Sequence, residues 1–154
     1  MRLSVLFVAS LMAMGFMAFS FSSAGGSESQ WLDVPVHTWG KLEQARATHK
    51  QIEVTKAKEI IFRQDDLLIV DVRTPEEFRA GHIPGAVNIP RGFLEFEIGE
   101  MAEKSARPIL VYCKEGLRGA LAGSTLRNLG YTNVSNLIGG WEAWSRYQKE
   151  GWYL

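Results

Sequence analysis

Ile109-Leu110-Val111-Tyr112-Cys113-Lys114-Glu115-Gly116-Leu117-Arg118-Gly119 is the stretch on which the reading of the chain turns. Four consecutive apolar residues without alternation are what a strand buried on both faces requires, and such strands sit at the centre of parallel sheets. The run stops at Cys113. A helical pattern takes over at Arg118 and extends to Leu129, with Leu121, Ala122, Thr125, Leu126 and Leu129 expected inward and Gly130 as its stop. A strand entering a helix through a short loop is the repeating step of an α/β sheet.

Reading outward from there, the same step recurs. Leu67-Leu68-Ile69-Val70 is a second continuous apolar run, ending at Asp71. Thr74-Pro75-Glu76-Glu77 has the marks of a helix start: a capping hydroxyl, a proline suited to the first turn, and carboxylates at the positive end of the dipole. Gly81 ends that helix, and Ala86-Val87-Asn88-Ile89 supplies the next strand. Phe93 to Lys104 places Phe93, Leu94, Ile98, Met101 and Ala102 at helical spacing. Val134 to Leu137 predicts a strand, and Trp141 to Lys149 a last helix entered through Gly139-Gly140. Upstream, Gln51-Ile52-Glu53 reads as a short strand and Thr55 to Phe62 as a helix capped by Thr55. Trp39 to His49 reads as a short helical extension with a thin apolar face. The expected architecture is α/β: parallel strands with helices on both faces.

Composition narrows the function classes. The chain has 154 residues, 46% of them apolar, enough for one domain with a proper core. Lys plus Arg equals Asp plus Glu at 17 each, so no global field recruits nucleic acid or anionic lipid. The single cysteine excludes an internal disulfide framework and multi-cysteine metal sites. His37, His49 and His82 lack the spacing of a metal-binding pair, and no metal or cofactor is expected.

The N-terminus carries a separate signal. Arg2 precedes an uncharged apolar run from Leu3 to Phe21, followed by small residues at Ser22-Ser23-Ala24. This pattern is that of a secretory signal peptide over residues 1–24, cleaved after Ala24. The rival reading is an uncleaved anchor, since the run reaches the roughly 17 residues that a spanning helix needs. Either way the remainder is expected outside the cytoplasm, periplasmic or otherwise exported, with membrane contact only if the segment stays attached. Residues 25–50 then form a Gly/Ser-rich spacer and an N-terminal extension.

The chemistry points to Cys113. Ligands of open parallel sheets bind beyond the carboxyl ends of the strands, where this cysteine falls. A loop entering a helix N-terminus gathers unpaired N–H groups that favour negative charge at its centre. Lys114, Glu115, Gly116, Leu117, Arg118 and Gly119 make up that loop, and Arg118 adds fixed positive charge. A thiolate there, ringed by donors, suits a persulfide or an oxyanion. The plainer reading makes Cys113 a small apolar residue closing a buried strand; its place at the strand end, ahead of a helix opened by arginine, favours a nucleophile.

Several motifs in order resemble the rhodanese (sulfurtransferase) family. They are Asp71-Val72-Arg73, Glu77-Phe78, Gly81-His82-Ile83-Pro84-Gly85-Ala86-Val87-Asn88-Ile89-Pro90, Val111-Tyr112-Cys113 with Gly116 and Arg118, Leu129-Gly130-Tyr131, and Leu137-Ile138-Gly139-Gly140 with Trp141 and Trp144. The resemblance implies one rhodanese domain over residues 51–150, with a five-stranded parallel sheet. It implies that Cys113 takes a sulfane sulfur as a persulfide from a small donor such as thiosulfate and passes it to a thiol or cyanide, or to a protein acceptor. It further implies that the loop from Lys114 to Gly119 cradles that sulfur, with Arg118 supporting an anionic donor. The family's phosphatase and arsenate-reductase branches have a loop one residue longer; here four residues separate Cys113 from Arg118, the sulfurtransferase length. A non-catalytic binding or redox-sensing module is the other alternative.

Two loop positions depart from the family pattern. Glu115 brings a carboxylate to the pocket, which disfavours thiosulfate, and Gly119 stands where a serine or alanine is common. Asp71 and Arg73 are expected to pair and orient loops near the site. Glu76 and Glu77 are read as helix-start charges, His82 as a turn residue bonded to backbone, and Trp141 with Trp144 as a core stripe. Trp31, Trp39 and Trp152 are expected to pack the terminal extensions.

Overall fold

The computed structural model describes residues 36–103 and 105–149. The signal peptide or anchor over residues 1–24, the first part of the spacer, and the expectations for Trp31, Lys104 and Trp152 lie outside the described residues.

The chain alternates strand and helix as the apolar runs require. The elements are α1 (Val36–Ala47), β1 (Lys50–Ile52), α2 (Val54–Arg63), β2 (Leu68–Asp71), α3 (Pro75–Ala80), β3 (Val87–Asn88), a 3-10 turn (Arg91–Phe93), α4 (Leu94–Met101), β4 (Ile109–Tyr112), α5 (Leu117–Asn128), β5 (Val134–Leu137) and α6 (Gly140–Lys149). Five strands form one parallel sheet in the order β1-β5-β4-β2-β3. All four residues of β2, β4 and β5 are buried, the expected result for central strands covered on both sides.

The pleat sends alternate residues into two cores. Leu68, Val70, Ile109, Val111 and Cys113 point to one face with Leu94 and Ile98 of α4 and Ala122 and Leu126 of α5. Ile69, Leu110 and Tyr112 point to the other with Val54 and Ala57 of α2 and Trp144 of α6. Leu42 and Ala45 of α1 are buried as well. No helix among the described residues is long and apolar enough to cross a membrane.

Four local expectations need correction. Helix α2 starts at Val54, and its N-cap is Glu53 without a side-chain bond, so Thr55 does not cap. Burial of Val54 in the second core fixes that start one residue early. Leu121 of α5 and Leu129 at its C-cap face outward, 41% and 48% exposed, while Gly119, Ala120, Ala122, Gly123 and Leu126 face in. Large side chains there would hold the helix off the sheet. Phe93 belongs to the 3-10 turn and is exposed, and the buried stripe of α4 is Leu94 and Ile98. The extension helix runs over Val36–Ala47, not to His49, because Thr48 turns the chain into β1.

Candidate active site

Cys113 follows β4 at the carboxyl edge of the sheet, between strands that connect in opposite directions. Its side chain is buried, and Gly116 N–H donates to its Sγ at 3.1 Å. Gly116 is the N-cap of α5 with φ +94°, the left-handed turn that brings the loop back over the sulfur. Leu117 and Arg118 form the first turn of the helix, so Cys113 lies at its positive end.

The back of the loop is bound to the start of α6. Trp141 N donates to Cys113 O at 2.8 Å, and Glu142 N donates to Lys114 O at 3.0 Å. These are orphan donors of a helix N-terminus satisfied by loop carbonyls. Gly140 makes the approach possible: a Cβ there would collide with the Cys113 and Lys114 carbonyls, and its φ is +55°. The Gly139-Gly140 pair therefore docks the cysteine loop as well as opening the helix.

The front of the loop is charged. A cavity of about 250 Å³ is lined by Cys113, Lys114, Glu115, Leu117 and Arg118. Arg118 is held by Glu77 through two bonds of 3.0 and 3.2 Å. The hydrogen bond to Glu77, and after it the charge of Cys113, raise the Arg118 pKa against burial; the same bond lowers that of Glu77. Lys114 lies 3.5 Å from both Glu115 and Glu142, whose charges raise its pKa, that of Glu115 first. Both cations of the loop are thus matched by carboxylates.

Asp71 and Arg73 do pair, in a buried position. Arg73 Nε donates to both Asp71 oxygens at 3.0 Å, and Nη2 reaches Asp71 Oδ2 at 2.6 Å and Gly81 O at 2.7 Å. The guanidinium lies over the rings of Tyr112 and Trp141. The pair braces the edge of the sheet that carries the loop and takes no place in the cavity lining. His82 bonds Phe78 O and stacks on the Phe78 ring, and Trp144 is buried with Trp141 packed beside it. Gly119 lies buried on the inner side of α5 and is likewise outside the cavity lining.

Sequence reasoning missed two contributors. Glu77 was assigned to the helix start, and it does close a capping box with Thr74, but it also clamps Arg118 from 41 positions away. Asn136 donates to Gly116 O from behind the loop at 3.2 Å. Its signal is a polar pair, Ser135-Asn136, inside a strand short enough to be buried throughout.

Comparison with known proteins agrees with this geometry. The family model of the rhodanese-like domain matches residues 53–147. An uncharacterised protein of Bacillus subtilis is 41% identical over 76 residues, 49% of this chain and 59% of its own length. The chain therefore spans somewhat over half of that relative. A sulfurtransferase of Allochromatium vinosum is 37% identical over 83 residues, 54% of this chain and 76% of its own. A solved structure from Rhodopseudomonas palustris, described as a protein of unknown function and possible tyrosine phosphatase, superposes with TM-score 0.64 and 32% identity, over 70% of this chain and 87% of that one. The matched span opens at the N-cap of α2 and closes inside α6, so it takes in the cysteine loop and the helix start that docks it, and the chain belongs to the rhodanese-like domain family.

Proposed function

We propose that this chain is a sulfurtransferase that works through a persulfide on Cys113. The observation that carries the reading is the Gly116 N–H directed at Cys113 Sγ at 3.1 Å, beside a cavity of about 250 Å³. A fixed donor of this kind stabilises negative charge on sulfur without reorganisation.

The balance of the reaction is simple. The Cys113 thiolate attacks the sulfane sulfur of the donor. With thiosulfate, the S–S bond breaks and sulfite leaves with the electron pair. A thiolate or cyanide then attacks the outer sulfur of the persulfide, and Cys113 thiolate is re-formed. No metal, cofactor or external oxidant takes part.

The charges at the mouth bear on the donor. Arg118 and Lys114 face Glu77, Glu115 and Glu142, so little uncompensated positive charge is left to attract a dianion. This disfavours thiosulfate relative to a sulfane sulfur carried on a thiol. Loop length separates this reading from phosphate or arsenate chemistry. Four residues between Cys113 and Arg118 close around one sulfur atom, and the arginine that would grip an oxyanion is already held.

Intact mass after incubation with thiosulfate or a thiol persulfide tests the reading. A gain of one sulfur in the native chain, absent from Cys113→Ala, is expected. No gain from any sulfane donor, together with hydrolysis of an aryl phosphate, would replace it with the phosphatase reading. Export belongs to the same proposal: the secreted chain should begin at Gly25, and a membrane-bound form retaining Met1 would replace cleavage by anchoring.

A further inference from the structure

Two residues of β5, Ser135 and Asn136, are polar and buried, 8% and 2% exposed. Asn136 Nδ2 donates to Gly116 O at 3.2 Å and to Gln51 Oε1 at 2.8 Å. Gln51 Nε2 lies 3.0 Å from His49 Nε2 and 3.3 Å from Arg46 O. His49 Nδ1 lies 3.0 Å from Thr48 Oγ1, whose hydroxyl donates to Ala45 O at 2.7 Å.

The protons along this row follow by elimination. Thr48 has one hydroxyl hydrogen, and Ala45 O takes it, so Thr48 accepts from His49 Nδ1–H. His49 Nε2 is then an acceptor and takes a hydrogen from the Gln51 amide, whose second N–H faces Arg46 O. That turns the Gln51 oxygen toward Asn136. Asn136 must present its NH2 group, which serves both Gln51 and Gly116 O. The carbonyls of Arg46 and Gly116 at its two ends and a neutral His49 between agree on one direction for the row, with the NH2 end of Asn136 meeting the cysteine loop. Burial lowers the His49 pKa and Arg127 adds to that, with the Ala45 carbonyl opposing.

Helix α5 leaves space for the row. A Cβ at Gly119 would collide with Asn136 Oδ1, and one at Gly123 would collide with the His49 ring. Each interior glycine weakens a helix relative to alanine. The two glycines fall where the row passes under the helix. Asn136 Oδ1 has no hydrogen-bond partner, so the amide is held by its NH2 end alone.

The target is Gly116. Its carbonyl already accepts from Ala120 N at 2.9 Å, the first bond of α5. Asn136 occupies the other lone pair. Two backbone torsions separate that carbonyl from the Gly116 N–H that meets Cys113 Sγ. We propose that Asn136 is a positioning residue for the Cys113 sulfur, acting through Gly116, with Gln51 holding its amide from the other side. The catalytic consequence rests on the sulfur-transfer reading; the effect on loop geometry does not.

The test pairs two measurements on Asn136→Ala, Gly119→Ala, Gln51→Leu and Gln51→Glu. One is hydrogen exchange of the Gly116 amide by NMR. The other is the rate of persulfide formation on Cys113, read by mass at saturating and subsaturating thiosulfate. Asn136→Ala leaves Gly116 O its bond from Ala120, so the fold should survive. Gly119→Ala displaces the Asn136 amide and should act in the same way. Asn136→Ala, Gly119→Ala and Gln51→Leu should speed Gly116 exchange and slow persulfide formation at saturation by roughly fivefold, with half-saturation unchanged. Amides of Val70 and Val111 should keep their protection. Gln51→Glu still accepts from Asn136 but loses both hydrogens that Gln51 gives, to His49 Nε2 and Arg46 O, and should fall between Gln51→Leu and the native chain. The Gly119→Ala/Asn136→Ala double variant should be no worse than either single one. Unaltered Gly116 exchange in Asn136→Ala overturns the proposal, as does loss of protection across the whole sheet or a double variant whose effects add. If the native chain takes up no sulfur while the exchange pattern holds, sulfur transfer fails and the positioning role stands.

Discussion

The cysteine loop has two sides built by different means. Its back is held through backbone: Trp141 N and Glu142 N bond the Cys113 and Lys114 carbonyls, Gly140 lets α6 close in, and Asn136 holds Gly116. Its front is wet: Glu77, Glu115 and Glu142 meet Arg118 and Lys114 in ion pairs whose side chains are 28–54% exposed. Buried backbone bonds in a tight turn tolerate almost no displacement, whereas half-exposed ion pairs are weak, screened and replaceable. The back therefore fixes where the sulfur sits. On the proposed sulfur-transfer reading, the front adjusts which donor approaches it.

The largest effect should come from the atom both sides serve. Cys113→Ala should abolish sulfur uptake while the fold persists, at a cost of about 1 kcal/mol for a small buried deletion; mass spectrometry and circular dichroism read the two separately. Next is the back. Gly140→Ala forces a Cβ into the Cys113 carbonyl at a left-handed φ, and should destabilise the chain by about 3 kcal/mol in urea unfolding. A tolerated alanine would mean that α6 can retreat and that the back is no more rigid than the front.

Changes at the front should be milder and should alter preference. Glu77→Gln keeps the cap on α3, because glutamine can fill the same capping-box position, and releases Arg118. Turnover of thiosulfate per unit KM should rise about fivefold at low salt, with little gain at high salt. The same variant changes acid stability. Glu77 has a lowered pKa in the fold, chiefly through Arg118, so its pairing is present above the usual glutamate range and is lost as pH falls through the lowered value. Native protein should lose stability over that acid window more steeply than Glu77→Gln, as read by denaturation at several pH values. Glu115→Ser should have the smallest effect. Glu115 already pairs with Lys114 at 3.5 Å, so a fall in thiosulfate KM of about twofold is expected, confined to low salt and absent for a neutral donor.

The same two sides divide what the sequence made legible. The strands announced themselves through apolar runs, because a strand buried on both faces has no alternative composition. The loop was legible because strand end, cysteine, glycine and arginine are neighbours in the chain. Glu77 was read correctly as a helix-start charge and incompletely as nothing else, since no local pattern ties it to a residue 41 positions on. The Gln51–Asn136 contact spans 85 positions and was equally out of reach. The inner face of α5 is hard to read from sequence for a related reason: periodicity ranks Leu121 above Gly119, whereas the space under the helix is taken by Asn136 of β5 and by His49, just ahead of β1.

The strand order has a consequence in time. β1 belongs at the edge beside β5, the last strand among the described residues, so their pairing joins residues 50–52 to residues 135–137. Closing so long a loop is entropically costly, and contacts of that separation form late in folding. The bonds that hold the Cys113 turn from behind come from β5 and the start of α6. While the chain is still being synthesised, β2 and β4 can pair and the thiol can exist, but the bonds from β5 and α6 do not yet grip its turn. The geometry around the Cys113 sulfur is therefore completed late, and until β5 and α6 are in place its turn lacks the bonds that hold it from behind.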